Sequence, residues 1–167
     1  MDEKIELAWL GGIIDGEGSI GVFLHAQVKD GVRFTTWRPN IQITNTHPRI
    51  IDRCCTILTR QNVEFSAHVR SRVNDHWKQT TDIAMMGLRR CERAIPVLRP
   101  YVYAKARNLE LLDQLVQSRL RRMRGKRQPR LGGGSILPPF SAEELALVAA
   151  IQEANRLGPV DQAEEIV

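Results

Sequence analysis

Residues 9–18 read WLGGIIDGEG. Glycines stand at 11, 12, 16 and 18 and acids at 15 and 17, and this arrangement decides how the flanking chain folds. On the N-terminal side, Ile5, Ala8, Trp9, Gly12, Ile13 and Gly16 recur at intervals of three and four, which predicts a helix over 5–16. Asp2 and Glu3 lie at its start, where the helix dipole is positive. Gly18 predicts a stop in the left-handed conformation. On the C-terminal side the period changes to two. Ile20, Val22, Leu24, Ala26 and Val28 alternate with Ser19, Gly21, Phe23, His25, Gln27 and Lys29. That is the pattern of a strand with one buried face and one largely polar face.

Asp30-Gly31 is a hairpin signal. A second strand follows, with Trp37, Ile41 and Ile43 on one face and Thr36, Arg38, Asn40 and Gln42 on the other; Pro39 suggests an edge or a bulge. Pro48 opens a second helix over 48–61, with Ile50, Ile51, Cys54, Ile57 and Leu58 inward. Val63, Phe65, Ala67 and Val69 then alternate with Ser66, His68, Arg70 and Arg72, Asn74-Asp75 marks a turn, and a strand returns over 77–86. Further helices are expected over 88–97 and 101–123. Ser141 with Glu144 forms a capping box for a last helix over 142–156.

The pattern predicts an α+β fold in the order αββαββα. A four-stranded antiparallel sheet carries helices on one face, because each strand has one apolar side, and extra helices follow at the C-terminus. The expected division is a core over 1–125, a basic then Gly/Pro-rich linker over 126–140, and a C-terminal helix with a frayed tail over 141–167. No second copy of the unit is visible in the sequence.

Hydrophobic residues make up 43% of the 167, enough for a core, and the formal net charge is +5 with a sequence pI near 9.5, which favours a polyanionic partner. Seven of the twelve residues 119–130 are Lys or Arg, in a run suited to phosphate contacts or to plain solvation. No run approaches the roughly 20 apolar residues of a membrane span, so a soluble intracellular protein with no membrane partner is expected. Cys54, Cys55 and Cys91 show no zinc or disulfide spacing, and His25, His47, His68 and His76 show no metal-ligand spacing.

WLGGIIDGEG resembles the LAGLIDADG signature. Leu10, Gly12, Ile14, Asp15 and Gly18 match outright, Gly11, Ile13 and Gly16 are small or aliphatic replacements, and Glu17 stands where the signature has its second Asp. Together with the element order, the resemblance covers about residues 4–123. It implies a homing endonuclease built as a homodimer of single-motif chains, with two motif helices side by side. Gly12 and Gly16, four apart on one face, would permit that approach, and Trp9, Ile13 and Asp15 would join the interface. Paired helix ends, each with a dipole of about half a negative charge, and a Glu17 from each chain suit a hard divalent cation. The resemblance makes Glu17 the metal ligand, with the Gly16 carbonyl beside it. Mg²⁺ is the expected ion, with Mn²⁺ or Ca²⁺ as substitutes and no small-molecule cofactor. It further implies that Asn45 orders water near the metal, that Arg49 faces the scissile phosphate, and that Lys105, five residues past Pro100, lies near the attacking water. The implied reaction is a staggered double-strand cut in a long pseudo-palindromic target.

The polar strand face would then read double-stranded DNA in the major groove. Its residues are Ser19, Phe23, His25, Gln27, Lys29, Arg33, Thr36, Arg38, Asn40, Gln42, Ser66, His68, Arg70, Arg72, Thr80 and Asp82. Two alternatives stay open: a binding protein on the same fold that does not cut, such as an RNA maturase or DNA-binding regulator, and an unrelated basic RNA-binding α+β domain.

Overall fold

The computed structural model describes residues 2–29, 32–71, 74, 76, 78–124 and 138–157. Helix α1 (Glu3–Glu17) runs directly into strand β1 (Gly18–Lys29), followed by β2 (Val32–Asn45), α2 (Pro48–Arg60), β3 (Ser66–Val69), β4 (Thr81–Met86), α3 (Leu88–Leu98), α4 (Ala106–Arg124) and α5 (Ala142–Leu157). The four strands form one antiparallel sheet in the order β1-β2-β4-β3. The α+β architecture expected from the sequence is therefore present.

Leu7, Leu10 and Ile14 place one face of α1 in the core, where Ile20, Ile41, Ile43, Ile83 and Met85 of the sheet and Ile95 and Leu98 of α3 are also buried. Burying each such side chain contributes about 1.5–3 kcal/mol. Asp2 caps the helix by accepting from the Lys4 N–H at 3.1 Å. Gly18 does not end the helix in a left-handed conformation: its φ of −88° and ψ of 169° are extended. Space demands the glycine there, since a Cβ would lie 2.6 Å from the Ile14 oxygen and 3.1 Å from that of Gln42.

β1 and β2 pair without a break from Gly18↔Ile43 to Lys29↔Val32, whereas β4 pairs with β2 only over Asn40–Asn45. Residues 23–29 and 32–38 thus form a two-stranded ribbon running past the core. This corrects the expectation that the whole alternating set of β1 is buried. Ile20 and Val22 are buried, but Leu24 is 58% and Val28 74% exposed, because the cover ends before the strands do. The Asp30-Gly31 turn lies outside the described residues. Pro39 marks neither an edge strand nor a bulge. β2 is an inner strand, and Pro39 sits one residue beyond the pairing with β4, where its carbonyl accepts from the Gly87 N–H at 2.8 Å. β3 is four residues long and exposed throughout, so Ala67 and Val69 do not form the buried face their alternation suggested.

Helix α4 starts at Ala106 rather than at 101, because residues 99–105 form a turn held against α1. α5 begins at the expected capping box: the Glu144 N–H donates to Ser141 Oγ at 3.2 Å, and the Ser141 N–H donates to Glu144 Oε2 at 2.9 Å. It is not peripheral. Val148, Ile151 and Ala154 belong to the common core, and Asn155 donates to the Ile20 carbonyl of edge strand β1 at 3.1 Å. Glu144 is fully buried between Arg119, at 3.2 Å, and Arg122. Burial pushes its carboxyl up, but the Ser141 N–H and the two arginines outweigh it and hold the group below the ordinary carboxylate range. Arg119, 2% exposed and stacked on Phe140, is therefore a buried tie to α5 and not a phosphate contact. Most of the linker and the tail beyond Leu157 lie outside the described residues.

Candidate nucleic-acid interface

The site is built where α1 meets the sheet. Asp15, one turn before β1, has its carboxylate turned into its own chain. Oδ2 accepts from the Tyr103 N–H at 2.8 Å and Oδ1 from the Lys105 N–H at 3.0 Å. This pins the turn before α4 and delivers the Lys105 side chain to the end of α1. There Nζ donates to the Ile14 carbonyl at 2.9 Å and to that of Asp15. Burial lowers the Lys105 pKa from its ordinary value, and the charges of Asp15 and Glu17 counter part of that shift.

Glu17 is exposed, and its carboxylate has no hydrogen-bond or ion-pair partner among the described residues. Since α1 ends at Glu17, the Gly16 carbonyl has no helical N–H four residues on to bond. Asn45 ends β2, two residues past the Gly18↔Ile43 pair and so at the same end of the sheet as Glu17. Its Oδ1 accepts from the His47 N–H at 2.8 Å, which leaves its amide N–H groups available. Arg49 follows, exposed in the first turn of α2. The fold thus gathers Glu17, Gly16 and Lys105 at one helix end, with Asn45 at the adjoining strand end.

Along α1, Gly12 and Gly16 are exposed, and a Cβ on either would meet nothing within 4 Å. Ile5 is 57% exposed, and Trp9 and Ile13 are half-buried, with Arg53 lying 4.4 Å over the Trp9 ring. The expected interface positions therefore form an open stripe, except that the Asp15 carboxylate serves its own chain.

On the sheet, Ser19, Phe23, Ser66, His68 and Arg70 are exposed, and His25, Thr36, Arg38, Gln42, Thr80 and Asp82 are half-buried. Gln27, Lys29 and Arg33 lie in the paired ribbon, and Arg72 lies outside the described residues. Asn40 is a correction. It is 1% exposed and cannot reach a base edge, because its cross-strand neighbour Gly21 is packed against Asn155 and Ile151 of α5. Its Nδ2 donates to Gln42 Oε1 at 3.1 Å, while its own Oδ1 has no partner among the described residues, an omission that costs about 1–3 kcal/mol. Gln42 Nε2 in turn donates to Thr44 Oγ1 at 3.1 Å, Thr44 to Asp82 Oδ1 at 2.7 Å, and Arg70 Nε to Asp82 Oδ2 at 2.5 Å. Thr44 was not among the candidates, although the same period of two carries the face from Asn40 and Gln42 to it.

Among the described residues no group of three or more His, Cys, Asp or Glu side chains could enclose a metal within one chain. Cys54 and Cys91 are buried, which pushes their thiols up to about 11 and about 12 and leaves them inert.

No sequence-family profile matches the chain, and no curated protein matches it in sequence. Solved structures do. The homing endonuclease I-CvuI, in complex with its target in the presence of calcium, superposes with a TM-score of 0.58 at 16% identity, over 90% of this chain and 82% of that one. The LAGLIDADG homing endonuclease I-GzeII in complex with a DNA target gives 0.56 at 18%, over 95% of this chain but 47% of that one. The archaeal intron-encoded homing endonuclease I-Vdi141I complexed with DNA gives 0.54 at 12%, over 91% and 98%. The fold is that of the LAGLIDADG homing endonucleases. The chain spans nearly the whole of I-Vdi141I and under half of I-GzeII. Among the described residues no helix is long and apolar enough to cross a membrane.

Proposed function

We propose that the chain is a site-specific, divalent-metal-dependent DNA endonuclease that cuts both strands of a long pseudo-palindromic target as a homodimer. The observation that carries this reading is the Glu17 carboxylate: exposed, unpartnered among the described residues, and beside a lysine docked on the same helix end. The open stripe of Ile5, Gly12 and Gly16 supports a second copy packed on α1, which would bring two Glu17 side chains together. A closed two-fold pair implies mirrored half-sites in the DNA.

The donor set fits a hard cation across two chains, since one chain offers Glu17 and the Gly16 carbonyl and, among the described residues, no further acid cluster. A magnesium-type ion held there would polarise the scissile phosphate and stabilise the leaving oxygen. The protein's own groups do the rest. Lys105 has three N–H donors; two are engaged by Ile14 and Asp15, and the third is free for the attacking water or the phosphate. Asn45 holds water through its free amide N–H groups, and Arg49 faces the phosphate. Water adds to phosphorus and gives one proton to solvent, the P–O ester bond breaks, and the leaving oxygen takes up a proton from solvent.

Selecting cleaved ends from a randomised duplex library with Mg²⁺ would define the target. On that target, Glu17→Gln is expected to abolish cutting while duplex binding stays near wild type. Cutting by Glu17→Gln at near the wild-type rate would remove Glu17 from the mechanism. Binding by the wild type without cutting under any divalent ion would favour the non-cutting alternative.

A further inference from the structure

Where the ribbon leaves the core, β2, α3 and α4 part around a cleft of about 450 Å³. Its walls are largely apolar, with Trp37, Pro39, Leu88, Leu115, Met123 and Phe140 among them. The volume falls within the roughly 300–1,000 Å³ of small-molecule sites. We propose that this cleft binds a small aromatic anion: a flat apolar ring body carrying one carboxylate, sulfonate or phosphate group. The proposal is independent of the DNA-cutting reading, since neither Glu17, Asn45, Arg49 nor Lys105 lines the cleft.

Charge selects the occupant. Helix α3 begins in the cleft wall, and its N-cap is Gly87, with φ of 101° and ψ of 162°. That conformation is essentially confined to glycine, so no serine or aspartate side chain can cap the helix from this position. Its first turn holds no acid either. The N–H groups of Leu88, Arg89 and Arg90 therefore form a positive helix end with neither a side-chain cap nor a first-turn counter-charge. Side chains add to it. Arg89 pairs with Glu92 at 2.9 Å, while Arg90, at 4.0 Å, and Arg93, at 2.5 Å, share Glu64. On the α4 side Arg119, stacked on Phe140, shares Glu144 with Arg122. Five arginines thus meet three carboxylates, a formal surplus of two positive charges before Arg38, which also lines the cleft, is counted. A cation would add to that surplus, and a neutral hydrocarbon would leave it unanswered. An anion held at the α3 start would offset it and satisfy backbone donors at once. The ring body is matched by the walls: Trp37 and Phe140 supply aromatic surface, and Met86 and Met123 are flexible enough to fit around a planar guest.

The test uses the full chain and two fluorescent probes with the same ring body, the anionic anilinonaphthalene sulfonate and the uncharged phenylnaphthylamine. The sulfonate is expected to bind saturably, about ten-fold tighter than the uncharged probe, since a hydrogen bond to a charged group carries about that difference. It should shift the methyl resonances of Met86 and Met123. R89Q/R90Q, which changes two surface side chains, should reduce the preference for the sulfonate several-fold and leave the uncharged probe's affinity as it was. M123W, which fills the cleft, should abolish binding of both probes while circular dichroism reports an unchanged helix content. Absence of saturable binding by the wild type would overturn the proposal, as would sulfonate binding that leaves both methionine signals unmoved. Equal affinity for the two probes, or an undiminished preference in R89Q/R90Q, would overturn the anionic class of the ligand. Should M123W fail to fold, the methionine shifts and the arginine variant decide the matter without it.

Discussion

Helix α1 has two apolar faces, and only one is buried among the described residues. Leu7, Leu10, Gly11 and Ile14 are buried, whereas Ile5, Ala8, Gly12 and Gly16 are exposed. The neighbouring glycines make the contrast sharpest. A Cβ on Gly11 would lie 2.1 Å from the Tyr101 carbonyl oxygen, so the turn before α4 requires glycine there. A Cβ on Gly12 or Gly16 would meet nothing within 4 Å. The fold of one chain explains the first glycine and leaves the other two without a reason, although each makes the helix less favourable by about 0.8–1.0 kcal/mol relative to alanine. That open stripe is the surface the proposed homodimer would use.

The strongest way to break this contrast is at Leu10, which is fully buried. Leu10→Ala is expected to lower unfolding stability by about 2–5 kcal/mol, while Ile5→Ala on the open face should stay within about 0.5 kcal/mol. Equal losses in denaturant titrations would show that the two faces do not differ. Next comes Gly11→Ala, expected to cost about 1–3 kcal/mol through overpacking against Tyr101. Gly12→Ala at the adjacent position should raise the helix's intrinsic stability by up to about 1 kcal/mol and weaken self-association. Sedimentation showing a wild type that stays monomeric at high concentration would leave Gly12 with no interface to disturb.

The smallest expected effect concerns pH. Burial depresses the Lys105 pKa below its ordinary value, so between the folded and unfolded pKa values the unfolded chain binds more protons. Stability should therefore rise with pH across the window just below the usual lysine value of about 10.4. Lys105→Met should flatten that rise, and an unchanged profile would show that the ammonium group is not held against the helix end.

Local patterns in the sequence identified the elements and their facing but not how far the cover extends. The period of two assigned Ile20, Val22, Ile41 and Ile43 to the core correctly, because alternation reports which side a residue faces. It assigned Leu24 and Val28 the same way, and they are exposed, because alternation does not report where the helices stop. Asn40 failed in the reverse sense: its parity is polar, yet the neighbouring strand packs against a helix more than a hundred residues further along the chain. The capping box of Ser141 and Glu144 was legible because its residues are three apart. The burial of Glu144 against Arg119 was not, since that pairing spans 25 residues and an arginine-rich run resembles a solvated one until its partner is seen. At the helix end, the acids at 15 and 17 were visible as a pair. Their division of labour, one tying the turn before α4 and the other left open, depends on backbone N–H groups about 90 residues away.

The bond from Asn155 to the Ile20 carbonyl joins residues 135 apart and closes the outer edge of the sheet. On the ribosome, that edge is made early and its cover late. At the usual 5–20 residues per second, β1 waits roughly 7–27 s for α5 to be synthesised. Through that interval its unpaired backbone groups are available to any other strand, including the same strand of a neighbouring nascent chain. A chain that stopped before Ala142 would lack this cover and leave the Ile20 carbonyl open at the sheet edge.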